Sequence, residues 1–441
     1  MLAAQLRVEA KHSLLMRLAA ARSQTDHLFG IVRPAALYRR PIPERHRIIF
    51  YVGHLEAFDW NLLQPHIEGL PSFHPQFDHL FAFGIDPVDG GLPSDQPSDW
   101  PAAAEIQSYT QRIRDTLDSA LAGDSFWDFE PFQAATLLNI AIEHRLMHAE
   151  TLAYMFHQLP FEDKISQSDA SVPAAGPVKP RMVEIPTGSA TLGLSREDTA
   201  AFGWDNEYDA HPVNVPAFEI DRYKVTNGQY LEFLQAGGYE DQSLWTAEDW
   251  QWKADQNISH PVFWLRGNEG WFYRGMFDPV SLPLDWPVYV SHAEAAAYAR
   301  WASKKLPTEA QWHRAAYGSL DGAEYPYPWG FEEPSGAHGN FGFQRWDPAP
   351  VNAFPLGRSA FGVDGLLGNG WEWTSSIFAP FDGFAPFASY PGYSANFFDG
   401  KHFVIKGGSA RTGNALLRRS FRNWFQPHYQ YVYAGFRCVS P

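Results

Sequence analysis

His144 and His148 stand four positions apart in the segment Glu143-His144-Arg145-Leu146-Met147-His148-Ala149-Glu150. The stretch before them, Pro131 to Ile142, has no Pro or Gly after its first residue and consists of good helix formers, which predicts a helix. On a helix, positions i and i+4 share one face a turn apart, so both imidazoles can address the same atom. A neutral imidazole is the commonest protein ligand for a borderline transition metal. Two ligands rarely suffice. His54, in the apolar, helix-compatible stretch Phe50 to Trp60, is the best candidate for a third. Three imidazoles leave positions open on a metal for substrate and oxygen.

The competing reading of a His-x3-His pair is two ordinary half-buried histidines. The pair also departs from His-Glu-x-x-His, because Arg145 stands where a zinc peptidase places its general base. Glu143 and Glu150 are candidates to orient the ligand imidazoles, and at least one of them is expected to be a solvated helix charge instead.

The elements that would position these residues fall in the first part of the chain. Four helices are predicted there: Leu2 to Arg22, the stretch around His54, Ala102 to Leu121, and Pro131 to His157. Four helices in one domain suggest a bundle, whose core is a common place to build a metal site from facing helices. The domain is expected to span residues 1–163, followed by a Ser-, Ala- and Pro-rich linker over 164–180. From residue 181 to 441 the pattern changes to short apolar runs punctuated by Gly, Pro, Asn and Asp. Only Asn227 to Gln235 and Ser291 to Lys304 read as convincing helices there, in an otherwise loop-rich α+β domain.

At 441 residues the chain is long enough for two or more domains with cores of their own. Aromatic content is 16%, with 17 Trp, which suits aromatic-walled pockets or irregular loops pinned by large rings. A formal net charge of -16 without a basic cluster argues against nucleic acid as a partner. Cys438 is the single cysteine, so there is no disulfide framework, no Cys-based zinc site and no dithiol redox centre. No apolar run reaches the ~18 residues needed to span a membrane, and the N-terminus lacks a signal-peptide core. The expected location is cytoplasmic.

Residues 181–441 resemble the formylglycine-generating-enzyme (sulfatase-modifying-factor) fold, a relative of C-type lectin domains. The matching stretches run in order: Val225-Thr226-Asn227-Gly228, Leu306-Pro307-Thr308-Glu309-Ala310-Gln311-Trp312, Gly368-Asn369-Gly370-Trp371-Glu372-Trp373, Lys406-Gly407-Gly408-Ser409 and Ala434-Gly435-Phe436-Arg437. A formylglycine-generating enzyme would bind copper through a cysteine pair, and one Cys argues against that activity. The first domain looks like a DinB-type bundle. Both on one chain resemble the ergothioneine/ovothiol sulfoxide synthases of the EgtB kind, which implies Fe(II) on His54, His144 and His148, with O2 and hercynine as reactants.

In that resemblance Asn423 and Trp424 match residues lining the hercynine site, where aromatic faces hold a quaternary ammonium by cation–π attraction. Phe425 and Tyr429 stand where the γ-glutamylcysteine-using branch carries an Asp and an Arg, so another donor is expected. Phe381 stands at the position of the family's catalytic Tyr, so the step needs another acid, such as Tyr390 or Tyr393, or a different order of events. An uncharged aromatic donor wall, and the stretch Glu44 to Tyr51, look most like the selenoneine synthase branch, with a selenosugar as donor. Cysteine or another thiol is the alternative donor. A DinB-type thiol transferase and a lectin-like binding protein are the rival classes. The active site is expected where residues of both domains meet.

Overall fold

The computed structural model describes residues 2–84, 91–128, 131–171, 175–198 and 201–440. The chain divides into two compact units, Met1–Gln167 and Ser168–Pro441.

The first unit contains α1 (Leu2–Gly30), α2 (Ile48–Leu63), α3 (Pro75–Phe83), α4 (Ala103–Ala122), α5 (Ser125–Asp128) and α6 (Pro131–His157). α1 packs on α6, and α2 packs on α3, α4 and α6, so α2 is the central helix. The cause is legible in composition. α4 buries Ile106, Tyr109, Ile113, Leu117 and Leu121, a single stripe at helical spacing with polar residues elsewhere. α2 instead buries residues on every face, from Ile48 and Ile49 through Leu55 and Trp60 to Leu63. The first helix runs on to Gly30, eight residues past the predicted Arg22. α3 is an addition to the predicted set. It starts at Pro75, whose missing N–H costs nothing at a helix start, and the His74 side chain accepts the Phe77 N–H at 3.2 Å.

The predicted linker is partly fastened at both ends. The Ile165 N–H donates to the Ile31 carbonyl at 2.7 Å, within the first unit. In the second unit Asp169 accepts the Trp346 N–H at 3.1 Å and Arg345 donates to the Ser171 carbonyl at 2.6 Å. Residues 172–174 of that stretch lie outside the described residues.

The second unit opens with β1 (Met182–Ile185), β2 (Gly188–Leu192), β3 (His211–Val215) and β4 (Phe218–Asp221), followed by α7 (Asn227–Gln235) and α8 (Ala247–Asp255). Next come β5 (Trp264–Gly267), β6 (Gly270–Arg274), β7 (Pro279–Ser281), α9 (His292–Trp301) and α10 (Glu309–Tyr317). The chain ends with β8 (Trp371–Ile377), β9 (Phe403–Lys406), β10 (Asn423–Phe425), β11 (Ala434–Gly435) and β12 (Val439–Ser440). One sheet has the order β10-β9-β8-β11, antiparallel except for the parallel β8–β11 pair. α10 lies at the heart of the unit, with Trp312, Ala315, Ala316 and Tyr317 packed among Ile185, Val215, Phe218, Phe341 and Leu366. Buried Glu372 ties that core together: Arg437 pairs with it at 2.6 and 2.8 Å, and Trp312 Nε1 donates to it at 3.0 Å.

Two of these helices, α8 and α10, were not expected. Each follows a Thr cap: Thr246 accepts the Asp249 N–H, and Thr308 and Gln311 form a reciprocal capping box. α9 ends at Trp301, short of Lys304, because Ser303 adopts a left-handed backbone with φ of 57°.

Candidate metal centre

α2 and α6 bring His54, His144 and His148 together: one ring nitrogen of each lies within 4.8 Å of the others. His54 Nε2 and His148 Nε2 are 3.3 Å apart. His54 Nδ1 sits 2.7 Å from the Phe81 carbonyl. A carbonyl only accepts, so Nδ1 carries the proton and Nε2 turns a lone pair toward His148. Gly53 makes this contact possible. A Cβ at that position would stand 2.3 Å from the Phe81 ring, so only glycine lets α3 approach α2 this closely.

Aromatic rings hold the imidazoles in place. Phe50 stacks on His54 at a centroid distance of 4.7 Å, Phe58 on His144 at 3.4 Å, and Tyr51 leans on His148 at 5.7 Å. Phe50 and Phe58 stand four residues before and after His54, a spacing visible in the sequence whose role was missed. Arg45 donates to the Tyr154 hydroxyl at 2.7 Å, and its charge acts on His148. Glu143 and Glu150 are both buried, which corrects the expectation that one of them is solvated. Arg145 turns into the bundle and pairs with Glu56 and Asp59.

Burial holds all three imidazoles neutral. It lowers His54 from 6.5 to about 4 and takes His144 and His148 well below their ordinary value. Three neutral nitrogen donors, one with its tautomer fixed, fit a borderline divalent ion such as Fe(II). The same shift has a consequence for the metal-free chain. Between pH 6.5 and 4 the unfolded chain takes up a proton at His54 that the folded chain does not, so stability is full above 6.5 and is lost as pH falls through this window. Urea midpoints of metal-free protein are expected to fall steadily from pH 7 to 4.5. A midpoint that stays flat across this range would contradict the burial of the trio.

In the second unit, Asn423, Trp424 and Phe425 form β10, at the edge of its sheet against β9. Trp424 stacks on Phe378 at 4.1 Å, meets Tyr393 edge-on at 5.4 Å and lies tilted against Phe397 at 5.5 Å. Tyr393 stacks in turn on Trp204 at 3.9 Å, and Tyr390 lies 5.8 Å from Tyr393. Burial raises the Tyr390 hydroxyl above its ordinary value, so it keeps its proton at neutral pH. Asn423 Oδ1 accepts the N–H of Trp424 at 2.8 Å. Phe381 lies under the Arg422 guanidinium at 4.0 Å and meets His211 edge-on.

Phe425 and Tyr429 stack on each other at 5.2 Å, nearly parallel. The loop between them is pinned by His428, whose Nε2 is 2.9 Å from Asp249 and whose ring stacks on Trp252. Asp249 and Trp252 lie on α8, the unexpected helix, and were therefore missed.

Comparison with known proteins agrees with this division. Residues 17–152 match the DinB superfamily, and residues 168–441 match the sulfatase-modifying factor enzyme 1-like domain. The hercynine oxygenase of Mycobacterium tuberculosis is 37% identical over 386 residues, covering 86% of this chain and 84% of that one. The hercynine oxygenase of Mycolicibacterium smegmatis is 33% identical and covers 98% and 99%. Ergothioneine biosynthesis protein 1 of Neurospora crassa is 28% identical, covering 91% of this chain and 55% of that protein.

Proposed function

Because the chain belongs to the hercynine oxygenase family, we propose that it is an O2-dependent oxidoreductase that joins a chalcogen donor to C2 of the hercynine imidazole, with Fe(II) held by His54, His144 and His148. The observation that carries the reading is the convergence of three neutral imidazoles from two helices, with His54 Nε2 turned inward by the Phe81 carbonyl. Fe(II), when bound there, would supply oxygen activation and a site that favours an ionised sulfur or selenium donor. The protein's share is positioning and proton management.

Trp424 is the residue we assign to the trimethylammonium group of hercynine. A quaternary ammonium cannot donate an N–H, so it is best held against an aromatic face. The half-buried Trp424, braced by Phe378, Phe397 and Tyr393, offers such a face, and Asn423 offers an amide beside it. Phe381 has no hydroxyl, so Tyr390 or Tyr393 is assigned as proton donor. Tyr390 is protonated at neutral pH, as that role requires.

Phe425 and Tyr429 are assigned to the donor. A stacked, uncharged pair cannot neutralise the carboxylates of γ-glutamylcysteine, whereas the C–H faces of a sugar pack well on rings. A selenosugar is therefore the favoured donor, which makes the chain a selenoneine synthase. A sulfur donor, giving an ergothioneine-type product, is the second reading, and the name of the Neurospora crassa relative favours it.

Oxygen uptake separates this chemistry from a thiol transferase or a lectin-like binder. After anaerobic reconstitution with Fe(II), oxygen consumption is expected only when hercynine and a chalcogen donor are both present. Metal binding without any such uptake would overturn the oxidoreductase assignment.

A further inference from the structure

The residue between the candidate ligands on α6 is itself a structural tie. Arg145 is fully buried, although an arginine is almost never placed so without partners. Its Nη1 donates to Glu56 at 2.9 Å, and its Nη2 donates to Asp59 at 2.7 Å and to the Leu55 carbonyl at 2.9 Å. All three acceptors lie on the turn of α2 that begins one residue after His54. Glu56 and Asp59 are equally buried, at 2% and 0% exposure, and Arg22 lies 3.9 Å from each. Arg114 on α4 shares Glu56 at 2.7 Å and reaches outward to Asp26 at 2.7 Å.

We propose that Arg145 is a positioning residue that locks the register of α6 against α2, and so sets the spacing of His54 to His144 and His148. The inference rests on the metal reading of the trio. Each residue of a helix advances 1.5 Å and turns about 100°. A slip of one residue between α2 and α6 would carry His54 Nε2 out of reach of the other two rings. Apolar packing is non-directional and resists such a slip weakly. A planar guanidinium with three acceptors on one turn accepts a single register. This gives a physical use to a buried charge network of a kind that well-packed apolar side chains often replace without loss of stability.

Co(II) serves as the probe, because its visible d–d bands report coordination geometry as well as binding. Arg145→Lys keeps the charge but cannot reach Glu56, Asp59 and the Leu55 carbonyl together. It is expected to keep the wild-type far-UV spectrum, to bind Co(II) on the order of 10–100-fold more weakly, as for loss of an outer-shell partner, and to shift the d–d bands. Arg114→Lys, which removes the other guanidinium on Glu56 and leaves the bonds of Arg145 to Asp59 and the Leu55 carbonyl in place, is expected to leave both readouts unchanged. Should Arg145→Lys fail to fold, Asp59→Asn carries the test with the same expected loss. Wild-type affinity and bands in the folded Arg145 or Asp59 variant would overturn the proposal, as would an equal loss in Arg114→Lys. A wild-type chain that binds no Co(II) would overturn the metal reading itself, and this inference with it.

Discussion

His148→Ala is expected to abolish metal binding and turnover while the second unit stays folded. His148 Nε2 faces His54 Nε2 at 3.3 Å, so its removal leaves two imidazoles and opens one side of the set. Loss of a ligand should exceed the 10–100-fold typical of an outer-shell partner, and activity should fall to background. The tryptophan-rich second unit, Ser168–Pro441, has its own core around α10, so its near-UV circular dichroism is expected to persist. Metal content measured after Fe(II) loading and gel filtration gives the answer. A variant that retains one equivalent of iron and wild-type turnover would remove His148 from the site.

The second large effect concerns the donor. Introducing Asp at Phe425 and Arg at Tyr429 replaces a stacked aromatic pair with charges that a neutral sugar cannot pair. With a sugar donor, kcat/KM is expected to fall on the order of 10–100-fold, equivalent to about 1.4–2.7 kcal/mol. Both side chains are half-buried, so water offsets part of the full cost of an unpaired interior charge. The same double variant should gain activity with γ-glutamylcysteine. Steady-state kinetics with both donors checks the exchange. If the unmodified enzyme prefers γ-glutamylcysteine, the assignment of this aromatic pair to a sugar fails, and the iron site and the hercynine site stand.

Much of the architecture is legible in the sequence, for different reasons in the two units. The bundle helices show in long stretches without Pro or Gly, and the formylglycine-generating-enzyme-like domain shows in its motifs from Val225 to Arg437. The His-x3-His spacing places two rings on one face, and His54, the third candidate named from the sequence, lies with them in the structure. What escaped notice lacked a periodic signature. α10 is only nine residues long, and its polar Glu309, His313 and Arg314 are buried beside Trp312 and Tyr317, so its place in the core could not be read from residue polarity. α8 has the opposite problem: in nine residues it buries only Asp249, so no apolar stripe marks it. α3 is short and announced only by His74-Pro75, yet it supplies the Phe81 carbonyl that fixes His54. Glu56 and Asp59 carry no signal of their role in the sequence, because nothing local shows that Arg145 from a distant helix will meet them.

Mass spectrometry of the products from hercynine, O2 and a panel of donors tests the central claim most directly. With Fe(II)-loaded enzyme, an adduct carrying the donor's chalcogen at the imidazole C2 is expected, formed fastest with the selenosugar and more slowly with its thiosugar counterpart. Hercynine recovered unchanged with selenosugar, thiosugar, cysteine and γ-glutamylcysteine alike, from enzyme shown to hold its iron, would contradict it.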